Sequence, residues 1–153
     1  MTVTLVSSHT SPKSRHSTDS SKVEAYHTGA GLADPVFVPI TETYLGTPAY
    51  LNGTKLQFDV NTFPFGAYGF PGDANSARWE PVYIEAGYGS GTWAVDGEGH
   101  LVVDNEESDG WIVCEWYHGV NFPQLFQGIK GFDYEPLNIP SSCSRAVLEL
   151  TYF

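Results

Sequence analysis

Cys114 and His118 stand four residues apart in Trp111–Val120, WIVCEWYHGV, the residue types of a thiol nucleophile and its general base. An extended strand separates such positions by about 13 Å, whereas a thiol–imidazole hydrogen bond needs roughly 3 Å. A reactive thiol also needs a partly exposed, electropositive setting. After residue 22 the chain carries only 4 basic side chains against 17 acidic ones. The second cysteine, Cys143, supports another reading. Two cysteines closing a loop of about 30 residues make a structural disulfide, worth roughly 3–4 kcal/mol in the chain-entropy model. The expectation is a Cys114–Cys143 bond, no catalytic residue, and His118 at the end of a strand.

Within that strand Ile112, Cys114, Trp116 and His118 alternate with Trp111, Val113, Glu115 and Tyr117. Both faces are largely apolar, the pattern of a central strand covered on both sides. Glu115 is the odd residue, and must reach water, accept hydrogen bonds, or pair with Arg78 or Arg145.

A second group of chemistry-bearing residues lies in Ala25–Val36, AYHTGAGLADPV. Gly29 and Gly31 lack the third glycine and the βαβ setting of a nucleotide loop. His27, Thr28 and Asp34 form either part of a polar site or a bulge and turn whose side chains bond to backbone. An enzyme reading would rest on His27, Asp34, Glu115 and His118 converging in one cleft. The run Asp104–Asp109, DNEESD, lacks EF-hand spacing and reads as a solvated acidic turn. Five scattered histidines show no H-x-H or H-E-x-x-H spacing, so no metal ligands and no cofactor are expected.

Phe63–Trp79, FPFGAYGFPGDANSARW, interleaves aromatics with proline and glycine. Phe63, Phe65, Tyr68, Phe70 and Trp79 have two roles open to them. On exposed loops they would anchor a protein or a sugar; packed inward they would cap the open end of the core.

These residues need a scaffold, and its class is legible. Charged residues are 16% of the chain and aromatics 14%, with 16 Gly and 10 Pro. Flat, bulky side chains between frequent turns suit short strands better than helices. Lys55–Val60 alternates Leu56, Phe58 and Val60 with Lys55, Gln57 and Asp59, and Glu80–Glu85 sets Val82 and Ile84 opposite Tyr83. Trp93–Val103 reads as a hairpin turning at Asp96-Gly97-Glu98-Gly99, and Arg145–Phe153 alternates again. Phe122–Phe132, FPQLFQGIKGF, has room for a short 3₁₀ piece. Roughly eight to ten strands predict an all-β, antiparallel sandwich or barrel in one domain over residues 1–153. Ser7–Lys22 has no apolar residue and is expected as a mobile polar loop between strands 1 and 2.

The net charge of −11 makes phosphate backbones and anionic membranes poor partners. No apolar run is long enough to span a membrane. The first residues lack the apolar core of a signal peptide, so secretion would mean that a leader has been removed. The cysteine pair and the sequon Asn52-Gly53-Thr54, a glycosylation acceptor at an expected turn, point to an extracellular protein.

Tyr26–Val36 and Gly110–Phe126 resemble a family of small fungal secreted proteins known mainly as a domain of uncharacterised function. Tyr26, His27, Thr28, Gly29, Ala30, Gly31 and Asp34 match its Y-H-T-G-A-G-x-x-D segment. Trp111, Cys114, His118, Gly119, Val120, Pro123, Gln124, Leu125 and Phe126 match its tryptophan–cysteine strand and H-G-V-P-Q-L-F run, with Asn121 and Phe122 inserted. The two motifs cover under a fifth of the chain. The resemblance implies an effector-like protein that acts by binding a host protein, and the chain is expected to be a monomer. Its most specific form is inhibition of a papain-like cysteine protease, and it carries over no catalytic residue. A carbohydrate-binding module using exposed aromatics and a small extracellular enzyme are the alternatives.

Overall fold

The computed structural model describes residues 3–10, 18–41, 46–69, 78–117, 121–130 and 138–152; Phe70 and His118 lie outside them. The described residues form thirteen strands and no helix. They are β1 (Val3–Thr10), β2 (Thr18–Gly29), β3 (Leu32–Pro39), β4 (Ala49–Asn52), β5 (Lys55–Phe58), β6 (Phe65–Tyr68), β7 (Trp79–Pro81), β8 (Tyr83–Ala86), β9 (Trp93–Val95), β10 (Leu101–Val103), β11 (Ser108–Tyr117), β12 (Asn121–Ile129) and β13 (Cys143–Tyr152). Their number exceeds the eight to ten expected because several are only three or four residues long.

Eleven strands make one antiparallel sheet in the order β2-β3-β8-β6-β5-β4-β1-β13-β11-β12-β7. Further pairings join β1 to β2 and β3 to β12, so the sheet curls back on itself as a half-barrel. Strands β9 and β10 form a separate two-stranded ribbon, with Val103 opposite Trp93 and Leu101 opposite Val95. This is the expected hairpin.

The curl encloses the main core. Alternation sends Val23, Phe37, Leu56, Phe58, Ala67, Ile84, Val113, Leu125 and Leu148 inward. The ribbon adds Trp93 and Leu101 to the same cluster. The Trp93 and Trp111 rings stack at 5.2 Å, and the Trp111 indole N–H donates to the Leu101 carbonyl at 2.6 Å. A smaller cluster of Ile112, Cys114, Phe126 and Cys143 lies on the opposite face of β11–β13, with Trp79 and Ile139 against it. Cys114 and Cys143 are directly paired in the β11–β13 register and form the disulfide. From Trp111 to Cys114, then, β11 is buried on both faces, as its sequence predicts.

Three expectations are corrected. Residues 7–10 and 18–22, assigned to a polar loop, are strand: β1 and β2 pair from Val6↔Lys22 to Thr10↔Thr18. Backbone pairing needs no apolar side chains, so composition alone could not reveal it. Phe122–Gly128 holds no 3₁₀ turn but lies in β12, paired with β11 and β7, because its apolar residues are buried between neighbouring strands. The alternation in β5 stops at Phe58; Val60 is exposed, whereas Gln57 is buried.

Candidate functional site

Strands β6 and β8 build an aromatic cleft. Ala67 pairs with Ile84 and both enter the core, so the next pair, Tyr68↔Tyr83, points to the outer face. Gly66 lets the following chain lie across this face: a Cβ there would sit 2.1 Å from the Gly89 nitrogen. Gly89 itself has φ +81°, a conformation that suits glycine. The resulting loop brings Ser90 and Gly91 beside the tyrosines, and the Ser90 amide donates to the Ala67 carbonyl at 3.0 Å. Tyr68, Glu80, Pro81, Tyr83, Ser90 and Gly91 line a cleft of about 450 Å³.

Tyr83 is 45% exposed. Its phenol is held above the ordinary tyrosine value of 10.0, first by partial burial and then by the negative charges of Asp34, Glu80 and Glu85. The cleft therefore joins a half-exposed tyrosine to a negative potential. Asp34 was singled out from sequence, whereas Tyr83 and Glu80 were missed as site residues. The period-2 pattern did place Tyr83 opposite Val82 and Ile84. Only the register, which is nonlocal, sets it beside Tyr68.

The bend between β5 and β6 is the second exposed feature. Val60 is 41% exposed and Phe63 49%, while the Phe63 ring stacks on Phe65 with centroids 5.1 Å apart. Phe65 is a core residue, so of this stacked pair Phe63 is the one available as an anchor. Trp79 is half-buried against the disulfide cluster, and Tyr68 turns into the cleft. Phe63, Phe65, Tyr68 and Trp79 therefore do not form one sugar-stacking platform.

Among the described residues, the polar candidates His27 and Asp34 are not brought to one face, and His118 lies outside those residues. His27 pairs with Ala33 and Asp34 with Tyr26, on successive positions that face opposite sides of the sheet. A bulge between His27 and Gly29 leads into the turn. Glu115 lies where β11 leaves the core; it is exposed, as are Trp116 and Tyr117. The two-sided coverage inferred for the whole strand therefore ends at Cys114. Arg145, one of its suggested partners, instead holds Asp109, with Nη2 2.7 Å from Oδ2.

The β9–β10 turn brings together a group that sequence spacing did not reveal. His100 Nδ1 lies 3.5 Å from Asp96 Oδ2 and 3.4 Å from Glu98 Oε2, and its Nε2 lies 3.9 Å from Glu149 Oε1. Asp96, Glu98 and His100 thus have the donor types and closeness to hold a cation. Asp96 Oδ1 is already engaged in closing the turn, accepting from the Glu98 and His100 amides. The D-x-E-x-H spacing becomes compact only when the hairpin folds. Asn52 is exposed in the β4–β5 turn, where Gly53 has φ +61°, so the sequon is accessible.

The molecule is thus an all-β protein with a single disulfide, a half-barrel carrying aromatic side chains on its outer surface. The chain belongs to the family DUF7907, a domain of unknown function, which matches residues 2–151. No curated protein and no solved structure matches it.

Proposed function

We propose that this chain is an extracellular binding protein that engages another protein through the Val60–Phe63 bend, and that a papain-like cysteine protease of a host is its target. The observation that carries the reading is Phe63, 49% exposed yet stacked on the buried Phe65. An aromatic anchor held by the core loses little conformational entropy when it enters a cleft, the property that separates strong contacts from mere contact area. The disulfide and the accessible sequon fit an oxidising compartment, and the resemblance to fungal secreted proteins supplies the host setting. The action is inhibition by occupancy, with no chemistry of its own.

The test is hydrolysis of a fluorogenic peptide by papain-family proteases in the presence of the purified protein. Inhibition is expected, and Phe63→Ala should weaken it about tenfold or more without lowering the melting temperature. Full protease activity at micromolar protein, or equal inhibition by wild type and Phe63→Ala, would overturn the reading.

A further inference from the structure

We propose that the Tyr68–Tyr83 cleft is a docking site for an arginine side chain on a basic segment of a partner protein, with Tyr83 supplying the ring face and Glu80 the carboxylate. The site lies at the other end of β6 from Phe63, and it stands whether or not the Phe63 bend meets a protease.

Three features select this ligand. The first is shape. Tyr68 and Tyr83 are cross-strand neighbours on the outer face, and with Pro81, Ser90 and Gly91 they line a shallow, open cleft of about 450 Å³. The second is charge. Glu80 lines the cleft, and the fields of Asp34, Glu80 and Glu85 all reach the Tyr83 ring. A phosphate, carboxylate or acidic sugar entering there would be repelled by the same carboxylates that act on the Tyr83 phenol. A cation meets both parts of the site favourably, through the electron-rich ring face and through the carboxylates. The third is the choice between cations. A guanidinium is planar, stacks on an aromatic face and forks onto a carboxylate at the same time, whereas an ammonium is a more strongly hydrated point charge. The whole chain carries −11, so a basic segment is drawn towards this surface from a distance.

The experiment measures binding of a capped tetra-arginine peptide by calorimetry, with tetra-lysine and tetra-glutamate peptides and tetramethylammonium as comparators, at low ionic strength. Tetra-arginine should bind more tightly than tetra-lysine, and tetra-glutamate should not bind. Tyr83→Ala leaves the net charge unchanged and should weaken tetra-arginine binding roughly 5- to 20-fold, while Tyr83→Phe should retain it. Glu80→Gln should weaken it more than Glu106→Gln, which removes the same charge from the exposed loop before β11. Bound peptide should also lower the ionisation point of Tyr83, followed by ultraviolet absorbance against the Tyr83→Phe protein. Unchanged binding by Tyr83→Ala, or equal effects of Glu80→Gln and Glu106→Gln, would mean attraction to net charge alone and would overturn the proposal. Tetramethylammonium binding as tight as tetra-arginine would overturn the peptide partner.

Discussion

Asp96 is the residue whose chemistry is most fully determined. Its Oδ1 accepts from the Glu98 amide at 2.8 Å and the His100 amide at 2.9 Å, the arrangement that closes the β9–β10 turn. The His100 amide bond is the largest cause holding this carboxyl below its ordinary 3.8, followed among the lowering causes by the Glu98 amide and the His100 charge. A depressed folded-state value contributes stability above the unfolded value and loses it as pH falls through the folded one. Asp96→Ala should therefore melt below wild type at pH 6, and the gap should close as pH drops below about 3.8. Asp96→Asn, which keeps an acceptor, should lie between the two at pH 6. Thermal melts at pH 6, 4 and 2.5 check this, and a gap independent of pH would refute it. At this scale the sequence showed the turn, through Asp96-Gly97-Glu98-Gly99, but not its partners. His100 approaches Glu149 only because residue 100 bridges β13, a contact across 49 positions. The tyrosine cleft was hidden for the same reason.

Among the elements, β11 is the one on which the others depend. It pairs with β12 along most of its length and with β13 from Trp111↔Ala146 to Cys114↔Cys143, and its two faces serve two different apolar clusters. The disulfide closes a 29-residue separation at one end of that pairing. Replacing both cysteines by alanine should cost about 3–4 kcal/mol, or roughly 7–15 °C in Tm for a chain of this size. Urea melts of wild type and Cys114→Ala/Cys143→Ala, both without reductant, test it; superimposable curves would show that the strand pairing alone sets the stability. The alternation read in β5 hid the burial of Gln57, whereas strand β13 and the hairpin β9–β10 were legible because each local pattern reports one buried face. Strand β12 was not: with Gln124, Leu125, Phe126 and Gln127 all buried, it shows no alternation to read. The polar ends of β1 and β2 were obscured in the opposite way, since Ser- and Thr-rich sequence has the composition of a loop whether or not its backbone is paired.

For the molecule as a whole, the distribution of charge has opposite consequences for folding and for binding. With 18 acidic and 7 basic side chains, most carboxylates have no basic residue to meet. Compact folding brings these like charges closer than in the extended chain, so their repulsion works against the fold. Exposed ion pairs such as Arg145–Asp109 work the other way, but an exposed pair contributes at most about 1 kcal/mol. Repulsion among the excess acids therefore dominates. Its range is about 30 Å at 0.01 M salt and about 10 Å at 0.1 M, so added salt removes more repulsion between distant carboxylates than attraction within close pairs. Raising NaCl from 0.01 to 0.2 M should raise Tm by about 2–4 °C, equivalent to roughly 1 kcal/mol. The same change should weaken tetra-arginine binding, because screening acts on the long-range attraction as well. Scanning calorimetry and titration calorimetry over one salt series separate the two effects. A Tm that falls with salt would mean that local pairs outweigh the net charge, and the steering argued for a basic partner would lose its source.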